Sequence, residues 1–237
     1  MNHLRDKLSK VHDRVQHAAD KAHRDSDDIR VIAVSKTRPA SMLRTAFEFG
    51  QDRFGENYLQ EALQKQQQLS DLAIEWHFIG PIQSNKTRDI ATNFDWVHSV
   101  DRLKVAQRLN DQRPRQLAPL NVCIQVNIDE ESSKSGVVEK DLLSLALAIQ
   151  NLPHIRLRGL MAIPVAHDTY AEQFAVFKRV QQAFQQLKID LLAQGARGEH
   201  LDTLSMGMSG DMEAAIAAGA TFVRIGTDIF GERAGKM

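Results

Sequence analysis

Lys36 closes the apolar run "VIAVSK" (31–36), an ammonium group at the end of what reads as a fully buried strand. Alternation along a strand puts Ile32, Val34 and Lys36 on one face. A lysine held among apolar neighbours gives up its proton more easily, because desolvation disfavours the charged form, and the free amine can attack a carbonyl carbon. Near the other end of the chain, "FVRIGT" (222–227) sets Phe222, Arg224 and Gly226 on one face and Val223 and Ile225 on the other. An inward arginine needs an acceptor, either a carboxylate of a neighbouring strand or an atom of a ligand. A third feature is "GMSGDMEAAIAAG" (207–219), where small residues run directly into a helical pattern. Ser209 there, with Gly226 and Thr227 after the last strand, offers backbone N–H groups and hydroxyls to an anion. Singly, Ser209 could be only a helix cap and Gly226 only a turn residue. Their arrival at one expected corner favours phosphate.

An aldehyde-capturing amine, a phosphate cup and a group facing a ring nitrogen are what pyridoxal 5′-phosphate requires. The expectation is therefore an internal aldimine on Lys36, phosphate contacts from Ser209, Gly226 and Thr227, and Arg224 at the pyridine nitrogen.

Elements must bring these residues together. Residues 2–24 place Leu4, Leu8, Val11, Val15, Ala18, Ala19 and Ala22 on one stripe, which predicts an amphipathic helix. Eight apolar or β-branched runs follow, at 31–35, 52–55, 75–79, 95–99, 120–128, 155–163, 201–205 and 221–226. Between them lie helical patterns near 39–49, 57–69, 84–92, 101–111, 138–151, 168–189 and 210–218. Pro39 suits a first helical position, Gly50 and Gly219 suit the residue past a last turn, and Asp101 and Ser209 suit N-caps. The strands are apolar at consecutive positions, as parallel strands covered on both faces are. An open dinucleotide-binding sheet would carry G-x-G-x-x-G after its first strand, and "VSKTRP" has no glycine. The pattern predicts an α/β fold: a single (β/α)8 TIM barrel spanning 1–237 with an extra N-terminal helix. Lys36, Asn57, Lys86 and Lys134 and the glycine-rich loops then fall at the C-terminal rim, while "DQRPRQLAP" at the opposite rim reads as ordinary turns.

Composition narrows the partners. Lys+Arg and Asp+Glu each number 30 in 237 residues, so no basic excess exists to follow nucleic acid or an anionic membrane. No signal-peptide pattern and no apolar run of membrane-spanning length is present, and a cytoplasmic monomer is expected. The single cysteine, Cys123, sits in "VCIQV" and reads as a buried structural thiol. The nine histidines show no metal-ligand spacing, and no metal is predicted. His77 in "WHFIG" reads either as a site residue or as a hydrogen-bonded core histidine.

The motifs "VSKTRP", "FGENY", "WHFIGPIQSNK", "SKSG", "GLMAIP", "LSMGMSGDMEAAI" and "VRIGTDIFG" resemble, in order, those of the YggS/PROSC family of pyridoxal phosphate homeostasis proteins. The resemblance runs from about residue 30 to residue 231. It departs only slightly, with Arg38 where lysine is frequent and Gly210 at a variable position. It implies a barrel similar to the N-terminal domain of alanine racemase, the cofactor on Lys36, the same phosphate and pyridine contacts, and Asn57 beside the cofactor. It also implies a carrier that stores, protects or delivers the cofactor, with apo-enzymes as recipients and no catalytic residue of its own.

A racemase-like enzyme is the alternative, and a Schiff-base aldolase using Lys36 on a sugar phosphate is a third reading. Racemisation needs an acid/base on each face of the cofactor. The only tyrosines are Tyr58, beginning a helix beside the site, and Tyr170, on a surface helix. A cationic Arg224 also disfavours protonation of the ring nitrogen, which weakens carbanion chemistry. Lys86 and Lys134 are candidate secondary aldehyde acceptors.

Overall fold

The computed structural model describes residues 2–129, 131, 135–196, 198 and 200–232. All eight expected strands form, with boundaries within two residues of the apolar runs: β1 (Arg30–Val34), β2 (Arg53–Glu56), β3 (Glu75–Phe78) and β4 (Trp96–Val100), then β5 (Leu120–Val126), β6 (Ile155–Ala162), β7 (Thr203–Ser205) and β8 (Phe222–Ile225). Each pairs in parallel with the next, and β8 returns to β1 through registers such as Ile32↔Arg224, so the sheet closes. Closure leaves no strand edge, and helices cover the outer face, which is why β4 is buried at every position.

The helices are α1 (Asn2–Lys21), α2 (Ala40–Glu48), α3 (Leu59–Gln68), α4 (Thr87–Asn93) and α5 (Leu103–Gln112), then α6 (Leu142–Gln150), α7 (Tyr170–Ala193), α8 (Met212–Ala217) and α9 (Thr227–Phe230). α1 buries Leu8, Val11, Val15, Ala18 and Ala19 and packs on α8 and α9. It stops at Lys21, short of the expected 24, because His23 takes a left-handed conformation (φ 55°). α7 starts on a full capping box between Thr169 and Glu172. α9 was not expected from the sequence; four residues are too few for a periodic signal.

Three of the expected caps are displaced. Pro39 is the extended N-cap of α2 rather than its first helical residue. The N-cap of α5 is Arg102, not Asp101, whose carboxylate accepts from the Arg102 guanidinium at 2.6 Å. The N-cap of α8 is Asp211, not Ser209, because the Asp211 carboxylate accepts from the Met208 N–H at 2.6 Å and closes a turn ahead of the helix. Gly50 (φ 92°) and Gly219 (φ 105°) sit just beyond α2 and α8, as expected.

The apolar core has two parts. The larger lies between barrel and helices. The smaller fills the barrel itself with Ile32, Trp96, Cys123, Met161 and Phe222. Cys123 is fully buried, and that burial pushes its thiol pKa up, out of nucleophilic range.

Candidate functional site

β1 ends at Val34, and Ser35, Lys36 and Thr37 turn the chain over the C-terminal mouth of the barrel. Thr37 holds φ 65°, a strained setting for a β-branched residue. Its neighbours fix it. The Thr37 N–H donates to Glu61 Oε1 at 2.5 Å, and Lys65 donates to Ser35 O at 2.7 Å and to Glu56 Oε1 and Glu61 Oε1 at 2.6 Å each. Ser35 Oγ donates to Glu56 Oε1 at 2.6 Å. One buried ammonium thus uses three donors to hold the backbone on both sides of Lys36. Burial pushes the Glu56 carboxyl up, partly offset by Lys65 and by the Ser35 hydrogen bond. Lys36 itself is half-buried at the rim.

Register brings β8 beside this turn. Ala33 pairs with Ile225, and a Cβ built on Gly226 would lie 3.5 Å from Val34 Cβ. The N–H groups of Ser209, Gly210, Gly226 and Thr227 find no acceptor among the described residues. The two loops carrying them are joined by Arg14 of α1. Its guanidinium donates to Ser209 O at 3.0 Å, to Glu213 Oε1 at 2.8 Å and to the Asp228 carboxylate. Gly207 (φ 94°) lets the β7 loop pass so close to α8 that a Cβ there would sit 2.5 Å from Ala215 Cβ.

Deeper in the mouth, Arg224 points inward as strand alternation predicts. Its acceptors differ from the carboxylate of a neighbouring strand considered from sequence. Nη1 donates to Ser205 O at 2.6 Å and Ser205 Oγ at 2.9 Å, and Nη2 donates to Ala162 O at 2.9 Å. Nε has no acceptor among the described residues. Burial lowers the Arg224 pKa to about 10, so the side chain stays cationic at neutral pH.

Asn57 follows β2, and its Oδ1 is buried with no partner among the described residues. Gly80 presses against it: a Cβ at Gly80 would lie 2.3 Å from Asn57 O. His77 is the core alternative of the two readings, fully buried and hydrogen-bonded to Glu75 and His98 at 2.9 Å each. Tyr58 and Tyr170 are each 56% exposed. Lys86 lies half-buried in the loop after β3, and Lys134 lies outside the described residues. Among the described residues no group of three or more His, Cys, Asp or Glu could hold a metal, and no helix is long and apolar enough to cross a membrane.

The structure therefore brings Lys36, Arg224, Gly226, Thr227, Ser209 and Asn57 to one mouth. Sequence reasoning missed Arg14, Glu56, Lys65, His98 and Ser205. For His98 and Ser205 a signal existed, since alternation in "WVHSV" and in "TLS" assigns faces. For Arg14, 199 residues from Glu213, none did.

Residues 7–234 match the family described as "Alanine racemase, N-terminal domain". The pyridoxal phosphate homeostasis protein of Pseudomonas aeruginosa is 54% identical over 233 residues, covering 98% of this chain and 97% of the relative. That of Escherichia coli K12 is 52% identical over 236 residues, covering 98% of each. The structure of PipY of Synechococcus elongatus with PLP bound is 36% identical, with TM-score 0.78, covering 92% of this chain and 100% of that one. An alanine racemase of Clostridium difficile shares the fold at TM-score 0.71 and 13% identity, over 99% of this chain and 58% of the racemase. By its match over nearly the whole length, the chain belongs to the pyridoxal phosphate homeostasis family, built on the barrel of the alanine racemase N-terminal domain.

Proposed function

We propose that this protein binds pyridoxal 5′-phosphate at the C-terminal mouth and stores, protects or delivers it, without substantial turnover of its own. Lys36 holds the aldehyde carbon, Ser209, Gly226 and Thr227 hold the phosphate, Arg224 faces the pyridine nitrogen, and Asn57 lies alongside. The observation that carries this reading is the convergence of an amine, free anion-binding N–H groups and a buried cation on one rim. The names of the relatives and the PLP in the PipY structure support it.

The residues fit the group. Arg224 keeps two N–H donors, that of Nε and one on Nη2, beyond the three engaged with described residues, and Asn57 Oδ1 is buried with no partner among the described residues. When bound, the cofactor supplies an electrophilic aldehyde and an electron-accepting ring. The protein's part is to hold and to spare. The Lys65 cluster fixes the turn that presents Lys36, and Arg14 fixes the phosphate loops. A guanidinium that remains charged donates to a ring nitrogen and leaves it unprotonated, which weakens the ring as an electron sink. Tyr58 is well exposed to solvent, which is poor protection for a carbanion. We also propose that the chain acts as one domain and one subunit in the cytoplasm, and that apo-enzymes receive the cofactor.

The test is direct. Protein mixed with the cofactor should turn yellow, and borohydride reduction followed by peptide mapping should place the pyridoxyl label on Lys36. Cofactor transfer to an apo-enzyme should differ in rate from free cofactor, and alanine racemisation should stay at background. Racemisation removed by Tyr58→Phe would favour the enzyme reading. A colourless protein that cleaves a sugar phosphate would favour the aldolase.

A further inference from the structure

The barrel interior carries a polar chain that the proposed cofactor contacts do not include. Glu75 Oε1 lies 2.9 Å from His77 Nε2, His77 Nδ1 lies 2.9 Å from His98 Nε2, and His98 Nδ1 lies 2.9 Å from Ser205 Oγ. Ser205 Oγ then accepts from Arg224 Nη1 at 2.9 Å. Strand alternation builds it, with Glu75 and His77 on β3, Trp96 and His98 on β4, Ser205 on β7 and Arg224 on β8. Both imidazoles are fully buried; His77 stacks on Trp96, and the edge of Phe222 meets both rings. The Glu75 side chain is 35% exposed, so one end of the chain reaches solvent.

The two ends fix where every proton sits. A guanidinium only donates and a carboxylate only accepts, while a neutral imidazole has one N–H and one lone pair. Burial lowers the pKa of His77 and lowers that of His98 well below its usual value, where the charge of Arg224 adds to the effect. Burial also pushes the Glu75 carboxyl up, but the His77 hydrogen bond and the charges of Arg53 and Arg30 outweigh it and hold Glu75 ionised. Glu75 therefore accepts from His77 Nε2–H. The remaining lone pair on His77 Nδ1 accepts from His98 Nε2–H, and His98 Nδ1 accepts from the Ser205 hydroxyl. The Ser205 oxygen is then turned to accept from Arg224. The opposite order would face the lone pair of His77 Nε2 toward a carboxylate. Every donor points from Arg224 to Glu75.

We infer that Glu75, His77, His98 and Ser205 form a one-directional hydrogen-bond relay that orients the Arg224 guanidinium, making His98 and Ser205 positioning residues for cofactor retention. With both Nη1 hydrogens tied to β7 and one Nη2 hydrogen tied to β6, Nε–H and the second Nη2 hydrogen are the donors left for the ligand. This rests on the reading that Arg224 meets the pyridine nitrogen.

Two measurements separate the relay from that reading. In the cofactor-free protein, long-range 1H–15N NMR of the histidine rings at pH 7 should show both buried imidazoles neutral, with the proton on Nε2. A cationic ring or a proton on Nδ1 in either would overturn the relay. In the cofactor-loaded protein, Ser205→Ala should release the cofactor about tenfold faster and shift its visible band, since it removes one hydrogen bond to a charged group. Ser205→Thr, which keeps the hydroxyl, should restore both. Unchanged release and band in Ser205→Ala, where Arg224→Gln changes them, would overturn the coupling. If Arg224→Gln also left them unchanged, the assignment of Arg224 to the ring nitrogen would fail while the NMR result stood.

Discussion

The two mouths of this barrel are built from the same eight strands and surround their arginines differently. At the N-terminal mouth Arg113 donates to three backbone carbonyls, those of Ala91, Phe94 and Ala118, at 2.7–2.9 Å. Arg158 bonds Asp202 at 2.5 Å and Asn121 at 2.9 Å and covers the Trp96 ring at 4.7 Å, while Arg30 covers the Phe222 ring at 5.6 Å. At the C-terminal mouth Arg224 donates to the carbonyls of Ser205 and Ala162 and to the Ser205 hydroxyl, and the loops around it are short of side-chain volume at Gly80, Gly207 and Gly226. Both mouths carry charge, and what separates a binding end from a closing end is the set of small-residue loops whose N–H groups, at Ser209, Gly210, Gly226 and Thr227, find no acceptor among the described residues.

The largest effect should come from filling space at the binding end. Gly207→Ala puts a Cβ 2.5 Å from Ala215 Cβ at φ 94°. Strain plus overpacking should cost about 3 kcal/mol in chemical denaturation and weaken cofactor binding in parallel. A stable variant that binds normally would show that the close approach of the β7 loop to α8 is not needed.

Next in size is an effect of the buried histidines on acid stability. Their folded pKa values lie below the unfolded value, so the unfolded chain binds protons first as pH falls. Their share of stability is intact above about pH 6.5 and is lost below it, at up to about 1.4 kcal/mol per pH unit for each histidine. Denaturation from pH 7 to pH 5 should show a shallower slope in His98→Gln than in the parent protein. Equal slopes would mean that His98 is not held neutral.

These sites differ in how far the sequence disclosed them. Eight strands, the inward face of Arg224, and the small-residue loops were all legible, because period-two alternation and glycine placement are local signals. The displaced caps at Asp101 and Ser209 were not, since each turned on a side chain choosing a nearer partner. Nor was the loop "DQRPRQLAP", which reads as ordinary turns although Arg113 within it is buried and ties that loop to α4. Arg14 was illegible for a different reason. It meets Asp228 from 214 residues away, and only closure of the barrel makes them neighbours.

That long-range contact gives a third, smaller effect. Arg14→Gln removes the guanidinium that joins the Ser209 and Asp228 loops but leaves every proposed cofactor contact in place. Binding of the cofactor, and inhibition of that binding by inorganic phosphate, should each weaken about tenfold, the scale of one charge-assisted hydrogen bond. A change in cofactor affinity without a change in phosphate competition would place the effect elsewhere than at the phosphate loops.

The smallest effect is the one that tests the contrast between the mouths. Arg158→Met keeps an apolar stem over Trp96 and removes the pair with Asp202, whose side chain is 53% exposed. An ion pair so open to solvent is worth little, and the loss of stability in denaturation should be about 1 kcal/mol or less. Cofactor affinity should change less than twofold, because Arg158 engages only groups of the closing end and bonds to no member of the histidine chain. Trp96 is the one route by which it could be felt above, since that ring stacks on His77. A loss of affinity as large as that of Arg14→Gln would mean the aromatic layer transmits strain between the mouths, and the division between a closing end and a binding end would have to be given up.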